Sequence, residues 1–206
     1  MTRNEHEMPL GAAVSFVAME HGTADDYRLL ESYEAQYAAA LPNRLLEALG
    51  RLEHSLAGYQ VTRLEHSLQA ATRARNDGAH DDWVAAALIH DLGDELAPYN
   101  HGEIAAAILE PYVAPNVTWV IRHHGAFQNI YYAHHLGGDP NARDQFAGHP
   151  SFDECVAFCA RWDQNSFNPN SPIDPLESFE PLLREVFNRD AWSDGRALHT
   201  PIPDPQ

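Results

Sequence analysis

The organisation of the chain is read most directly from DDWVAAALIHDLG, residues 81–93. Trp83, Val84, Ala87 and Leu88 form the apolar stripe of a helix expected over 81–90, after which Asp91-Leu92-Gly93-Asp94-Glu95 reads as a loop. His90-Asp91 stands where that helix ends, directly after the apolar run Val84-Ala85-Ala86-Ala87-Leu88-Ile89. The pair offers adjacent nitrogen and oxygen donors. A His-Asp dipeptide alone usually means a satisfied surface pair, so its weight depends on what surrounds it.

Outward from this stretch the helical period continues. Towards the N-terminus, Gly78 stops a helix expected over 61–76. Before it, Pro42 opens a helix carrying Leu45, Leu46, Leu49 and Leu52, with Gly58 as its close. Thr23 is read as the N-cap of a helix with Asp25 and Asp26 in its first turn and Leu29, Leu30, Tyr33 and Tyr37 at helical spacing. Towards the C-terminus, helices are expected over 101–112, 117–124, 150–162 and 176–187. Residues 137–148 and 165–175 read as Gly/Pro/Asn/Asp loops. No segment alternates with period two over six residues, so no sheet is expected. The predicted fold is all-α, a single helical bundle over 23–190. An irregular arm, 1–22, with a short extended piece at 13–19, precedes it, and a Pro-rich tail, 191–206, follows.

Composition bounds the function. Thirty acidic residues oppose 13 basic ones, none of them Lys, for a net charge of −17. A nucleic-acid partner is not expected, because the charge repels a phosphate backbone and no basic stripe offsets it. No apolar run reaches the length of a membrane span and no signal peptide is read at the N-terminus, so a cytoplasmic location is expected. Cys155 and Cys159, four apart on one helix face, read as a reduced core pair. Thirteen His among 206 residues is an excess, and neutral imidazole is a common metal ligand.

Several of these side chains share the buried face of their helix. His101 falls with Ala105, Ile108 and Tyr112. Val117, Val120, Ile121 and His124 recur at i, i+3, i+4 and i+7, which selects His124 over His123. Phe152, Val156, Cys159 and Asp163 place a carboxylate at the inner end of an apolar face, where an unpaired charge is costly. Several imidazoles and carboxylates directed at one core are most economically held by metal.

Three segments then carry a resemblance: LEHSLQ at 64–69, AALIHDLG at 86–93 and Arg161-Trp162-Asp163. With His101 and His124 between them, their order resembles the HD-domain superfamily over about 59–163. Its dinuclear members are the nearest, the mixed-valent diiron organophosphonate oxygenases and myo-inositol oxygenase above all. The resemblance implies two metal ions, one held by His66, His90, Asp91 and Asp163 and the other by Asp91, His101 and His124, with Asp91 bridging. It also resolves the echo RLEHSL, which occurs at 51–56 and 63–68, because the Ser-Leu-Gln after the family's first ligand follows His66 and not His54. His54 is expected to face solvent.

Two chemistries fit such a centre. Two iron ions of mixed valence would oxidise or cleave a small polar metabolite with O2. Alternatively Mn, Co or another divalent metal would serve a phosphohydrolase acting on a phosphoester or nucleotide. Relatives commonly place Lys or His three residues after the bridging Asp, where this chain has Asp94. That departure argues against phosphate at this spot and leaves Arg63, Arg122 and Arg161 to recognise one, unless each pairs with Asp or Glu. Asp94 and Glu95 read as a solvated loop end, or else as partners of a cation such as an amine. Gln69, one turn beyond His66, supports a ligand or faces substrate. Oxygenase relatives cap an iron with an upstream Tyr; that position falls on Leu56 here, and Tyr59 is the nearest substitute, not expected to act as a latch. His134 and His135 match no family ligand and read as surface residues.

Overall fold

A computed structural model describes residues 11–205 of the chain. Of the expected arm, residues 1–10 lie outside that range; 11–18 are irregular and Met19–His21 form a single 3-10 turn. Among the described residues every regular element is helical, so the all-α reading holds. Two compact units divide the chain, one ending at Leu41 and the other beginning at Pro42.

The first unit is built on α1 (Ala24–Ala39). Thr23 caps it as the sequence suggests, its hydroxyl accepting from Asp26 N while the Asp26 carboxylate accepts from Thr23 N. The same carboxylate accepts from the Ser15 amide at 2.7 Å and its hydroxyl at 3.0 Å, tying the preceding segment to the helix start.

The second unit contains α2 (Leu41–Arg51), α3 (Arg63–Asn76), α4 (Asp81–Ile89), α5 (His101–Leu109), α6 (Pro115–Tyr132), α7 (Phe152–Phe158) and α8 (Glu180–Phe187). Every residue of α4 from Asp82 to Ile89 is buried. A helix that is apolar on all sides must be enclosed, and α4 packs against α3, α5, α6 and α8. The broadest helix contacts are α3 with α4, α5 with α6, and then α6 with α7.

Several boundaries differ from the sequence reading for local reasons. α3 starts at Arg63 because Thr62 caps it, in a capping box closed by Glu65. α6 runs on to Tyr132, two turns past His124. The helix expected over 150–162 is α-helical only to Phe158 and then winds more widely through a π turn, Cys159–Asp163, in which Gln164 N donates to Cys159 O. Its buried stripe is Cys155, Phe158, Cys159 and Trp162, with Phe152 and Val156 half-buried. The C-terminal tail is draped and anchored: Trp83 Nε1 donates to Thr200 O, and Thr200 is 4% exposed.

Two glycines set the distances that matter. A Cβ on Gly93 would meet His101 O at 2.5 Å, and one on Gly102 would meet Ile121 O at 2.8 Å. Glycine at these points lets the turn after α4 press on the start of α5, and lets α5 approach α6.

Candidate metal centre

Side chains from five elements meet at the end of α4. The first turn of α3 brings His66, and the end of α4 brings His90 and Asp91. The start of α5 contributes His101, the middle of α6 His124, and the π turn Asp163. All except His101 are buried.

The imidazoles are held by their far nitrogens. Nδ1 of His66 donates to Ser166 O at 2.8 Å, Nδ1 of His90 to Ala87 O at 2.8 Å, and Nδ1 of His124 to Ile121 O at 2.7 Å. In a neutral ring, donation from Nδ1 leaves the lone pair on Nε2. These Nε2 atoms converge: His66 and His90 face each other at 3.1 Å, and His124 faces Nε2 of His101 at 3.1 Å.

Asp91 stands between the two pairs. Its Oδ2 lies 3.2 Å from His66 Nε2 and 3.3 Å from His90 Nε2, while its Oδ1 lies 3.2 Å from His101 Nε2 and 3.6 Å from His124 Nε2. Oδ1 of Asp163 adds to the first set, 3.4 Å from His66 Nε2 and 3.6 Å from His90 Nε2. This oxygen is buried and accepts no hydrogen bond.

The arrangement calls for positive charge between the donors. Burial pulls the His66 and His90 imidazoles down, but the facing Asp163 and Asp91 carboxylates outweigh it and both are raised. Burial would push Asp91 up, yet His90 and Arg63 hold it well below the usual carboxylate range. Opposed ring lone pairs and an unsatisfied carboxylate oxygen are both relieved by a bound cation, so the residues present fit metal. Two donor sets able to hold one are His66, His90 with Asp163, and His90, Asp91 with His124; Asp91, Asp94 and His101 form a third cluster.

Arg63 is the basic residue that reaches the centre. Its Nη2 lies 2.9 Å from Asp91 Oδ2, and Nε and Nη2 both donate to Asp94 Oδ2. Asp94, with its side chain 10% exposed, is therefore no solvated loop end, and its Oδ1 lies 3.0 Å from His101 Nδ1. Glu95 accepts from Arg51, so both acids read as partners for a cation already have one within the chain. Arg122 pairs with Glu103 and Glu110 while lining the same opening as His101 and His124, and Arg161 pairs with Asp77.

The remaining sequence candidates lie around the centre. Gln69 is buried and donates through Nε2 to Asn168 O, clamping the 165–175 loop to α3 rather than touching a donor atom. Tyr59 is 52% exposed and stacks on Phe167, which itself stacks on His66 with ring centroids 4.3 Å apart. His54 faces solvent, and His134 and His135 sit on an exposed turn. His123 packs on Trp119 and Phe146 instead of entering the centre. Cys155 and Cys159 form no disulfide and are buried, and Cys159 Sγ donates to the backbone carbonyl of His124.

Sequence reasoning missed three contributors. Gln128 donates to Oδ2 of Asp163, which leaves Oδ1 to face the imidazoles. Ser166 orients His66, and Phe167 covers it. Gln128 falls at i+4 from His124 on α6, and that spacing could have pointed to it.

The HD domain family model matches residues 63–161, from the first residue of α3 into the π turn. Among curated proteins, the chain is similar to the [1-hydroxy-2-(trimethylamino)ethyl]phosphonate dioxygenase (glycine-betaine-forming) of Leisingera caerulea. The two are 31% identical over 87 residues, 37% of this chain and 44% of the relative. The match thus spans less than half the length of either protein.

Proposed function

We propose that residues 63–161, which match the HD domain family model, form an HD domain, and that the protein is a dinuclear iron oxygenase acting on a small polar metabolite. The observation that carries the reading is the placement of Asp91, one oxygen turned to His66 and His90 and the other to His101 and His124. A carboxylate so placed would hold one cation with each oxygen. The first set has four protein donors, His66, His90, Asp91 and Asp163. The second has three, His101, His124 and Asp91, a two-His, one-carboxylate set of the kind that leaves coordination positions open in non-haem iron oxygenases.

Two iron ions held there would supply O2 activation and removal of a hydrogen atom from a substrate C–H bond. The chain's own part is to preorganise the donors. Carbonyls of Ser166, Ala87 and Ile121 fix which imidazole nitrogen is presented, Gln128 turns Asp163, and Arg63 offsets the charge of Asp91 and Asp94. The three-donor set also lines an opening of about 240 Å3, through His101 and His124. The relative is named for oxygenating a substrate with a hydroxyl beside a phosphonate. A substrate with adjacent oxygens of that kind suits a centre with open positions.

The test is anaerobic purification, iron loading and partial oxidation. A coupled mixed-valent paramagnetic signal, with O2 uptake on addition of a small hydroxylated substrate, is expected. Turnover of generic phosphoesters with Mn or Co and no O2 consumption would replace the oxygenase with a phosphohydrolase.

A further inference from the structure

The four imidazoles of the centre are not held alike. His66, His90 and His124 each turn Nδ1 to a main-chain carbonyl, at 2.7–2.8 Å. Nδ1 of His101 is buried and makes no in-line hydrogen bond. The acceptor within its reach is a carboxylate, Oδ1 of Asp94 at 3.0 Å, while Nε2 of the same ring faces Asp91 Oδ1 at 3.2 Å. His101 is the first residue of α5, has no side-chain cap before it, and keeps 22% of its side chain exposed. Among the four rings it has the weakest hold from the main chain.

Asp94 is built to supply that hold. It lies in the 3-10 turn Leu92–Glu95, and its amide donates to Asp91 O at 3.0 Å. Arg63 takes Oδ2 through both Nε and Nη2, which leaves Oδ1 to His101. Gly93 lets the turn sit against the His101 backbone, since a Cβ there would meet His101 O at 2.5 Å. A carboxylate behind an imidazole does more than a carbonyl does. It fixes the ring, and its charge makes the opposite nitrogen a stronger donor to metal. The gain falls on the three-donor set of His101, His124 and Asp91, which has no counterpart of Asp163.

We propose that Asp94 is a positioning residue for His101, and that through this ring it decides whether the three-donor set takes up its ion. The inference rests on the two-ion reading of the centre. Asp94 itself contacts neither ion.

The probe is cobalt(II), titrated into the chelator-treated full chain. Calorimetry gives the stoichiometry and affinities, and proton NMR gives the paramagnetically shifted, exchangeable N–H signals of the bound imidazoles. The parent chain is expected to bind two ions and to show one such signal for each of His66, His90, His101 and His124. Asp94→Asn keeps the size of the side chain and removes its charge. In this variant the first ion should bind as in the parent chain, and the second about 10- to 100-fold more weakly. At saturating cobalt the His101 N–H signal should move or be lost to exchange while the other three stay.

Unchanged affinity for the second ion in Asp94→Asn overturns the proposal. Equal weakening of both ions also overturns it, because Asp94 would then brace the fold rather than His101. So does a third ion that disappears with Asp94, since Asp91, Asp94 and His101 would be its ligands. If the variant does not fold, the parent spectrum decides: a protected fourth N–H signal sustains the proposal, and its absence, with His101 exchanging freely with water, overturns it. A parent chain that takes up one ion overturns the two-ion reading as well, and its stoichiometry tells that failure apart from the others.

Discussion

Nε2 of His66 and Nε2 of His90 face each other across 3.1 Å while the Nδ1 of each is committed to a backbone carbonyl. Two neutral imidazoles so held oppose their lone pairs, and a cation between them removes the conflict. Metal binding is therefore expected to contribute to folding as well as to chemistry. At metal concentrations near 1,000 times Kd, linkage contributes about 4 kcal/mol. For a domain of this size that corresponds to a rise in Tm on the order of 10 °C. Thermal melts of chelator-treated and iron-loaded protein check this; coincident melts would show that the cluster takes up no metal.

Gln128 governs how Asp163 is presented. Replacing it in Gln128→Leu leaves Oδ2 without its donor and frees the carboxylate to rotate. Metal affinity is expected to fall about 10- to 100-fold, the usual effect of removing a partner that orients a ligand. Competition with a chromogenic chelator measures it. Unchanged affinity would mean that the π turn alone positions Asp163.

How much of this was readable from the chain follows from range and period. The enclosed helix α4 was plain because the residues from Trp83 to Ile89 are apolar on every side. His124 was separable from His123 because one residue on a helix is a hundred degrees of rotation. Asp163 was placed inside although the stripe leading to it was misread, since the chain leaves α-helical winding after Phe158 and the 3.6-residue period no longer applies. Ser166 and Phe167 were invisible: they sit in a loop without periodicity and meet His66 about one hundred positions away. Arg63 and Asp94 were both singled out, but nothing local pairs residues 31 apart.

Asp26 gives a pH dependence in the first unit. Backbone and hydroxyl donors from Ser15 and Thr23 hold its carboxyl below the usual range, against the pull of burial. A depressed carboxyl contributes stability that is present above its unfolded value, about 3.9, and lost as pH falls towards the lower folded value. As pH falls below about 4, protection of the Ser15 and Thr23 amides from hydrogen exchange should decline progressively. Asp26→Asn should show the loss already at neutral pH, and protection undiminished between about pH 4 and pH 2 in the parent chain would contradict the assignment.

The tail anchor predicts the cost of truncation. Thr200 O accepts from Trp83 Nε1 and Asn116 Nδ2, each at 2.8 Å, and Thr200 N donates to Asn116 Oδ1 at 3.0 Å. Ending the chain at Leu198 leaves the buried Trp83 indole N–H and Asn116 Oδ1 without partners, while Asn116 Nδ2 keeps Glu154, at about 1–3 kcal/mol per orphaned group. The urea midpoint should drop accordingly. An unchanged midpoint would mean that water replaces the tail.

Arg63 and Asp94 supply the last prediction. Their side chains are 9% and 10% exposed, and Arg63 also contacts Asp91. Removing the guanidinium in Arg63→Met leaves two carboxylates facing each other without it, which should cost about 3 kcal/mol, in the range for breaking a buried pair from one side. Arg63→Met with Asp94→Leu removes both charges and should recover much of that loss. Bound metal neutralises Asp91 directly, so the single variant should be less destabilised when iron-loaded than after chelation. Denaturant titrations of the parent chain, the single variants Arg63→Met and Asp94→Leu and the double variant, loaded and chelated, give the coupling between residues 63 and 94 and its dependence on metal. A penalty for Arg63→Met that metal does not reduce would separate Arg63 from the charge balance of the centre and leave it as a structural clamp on Asp94.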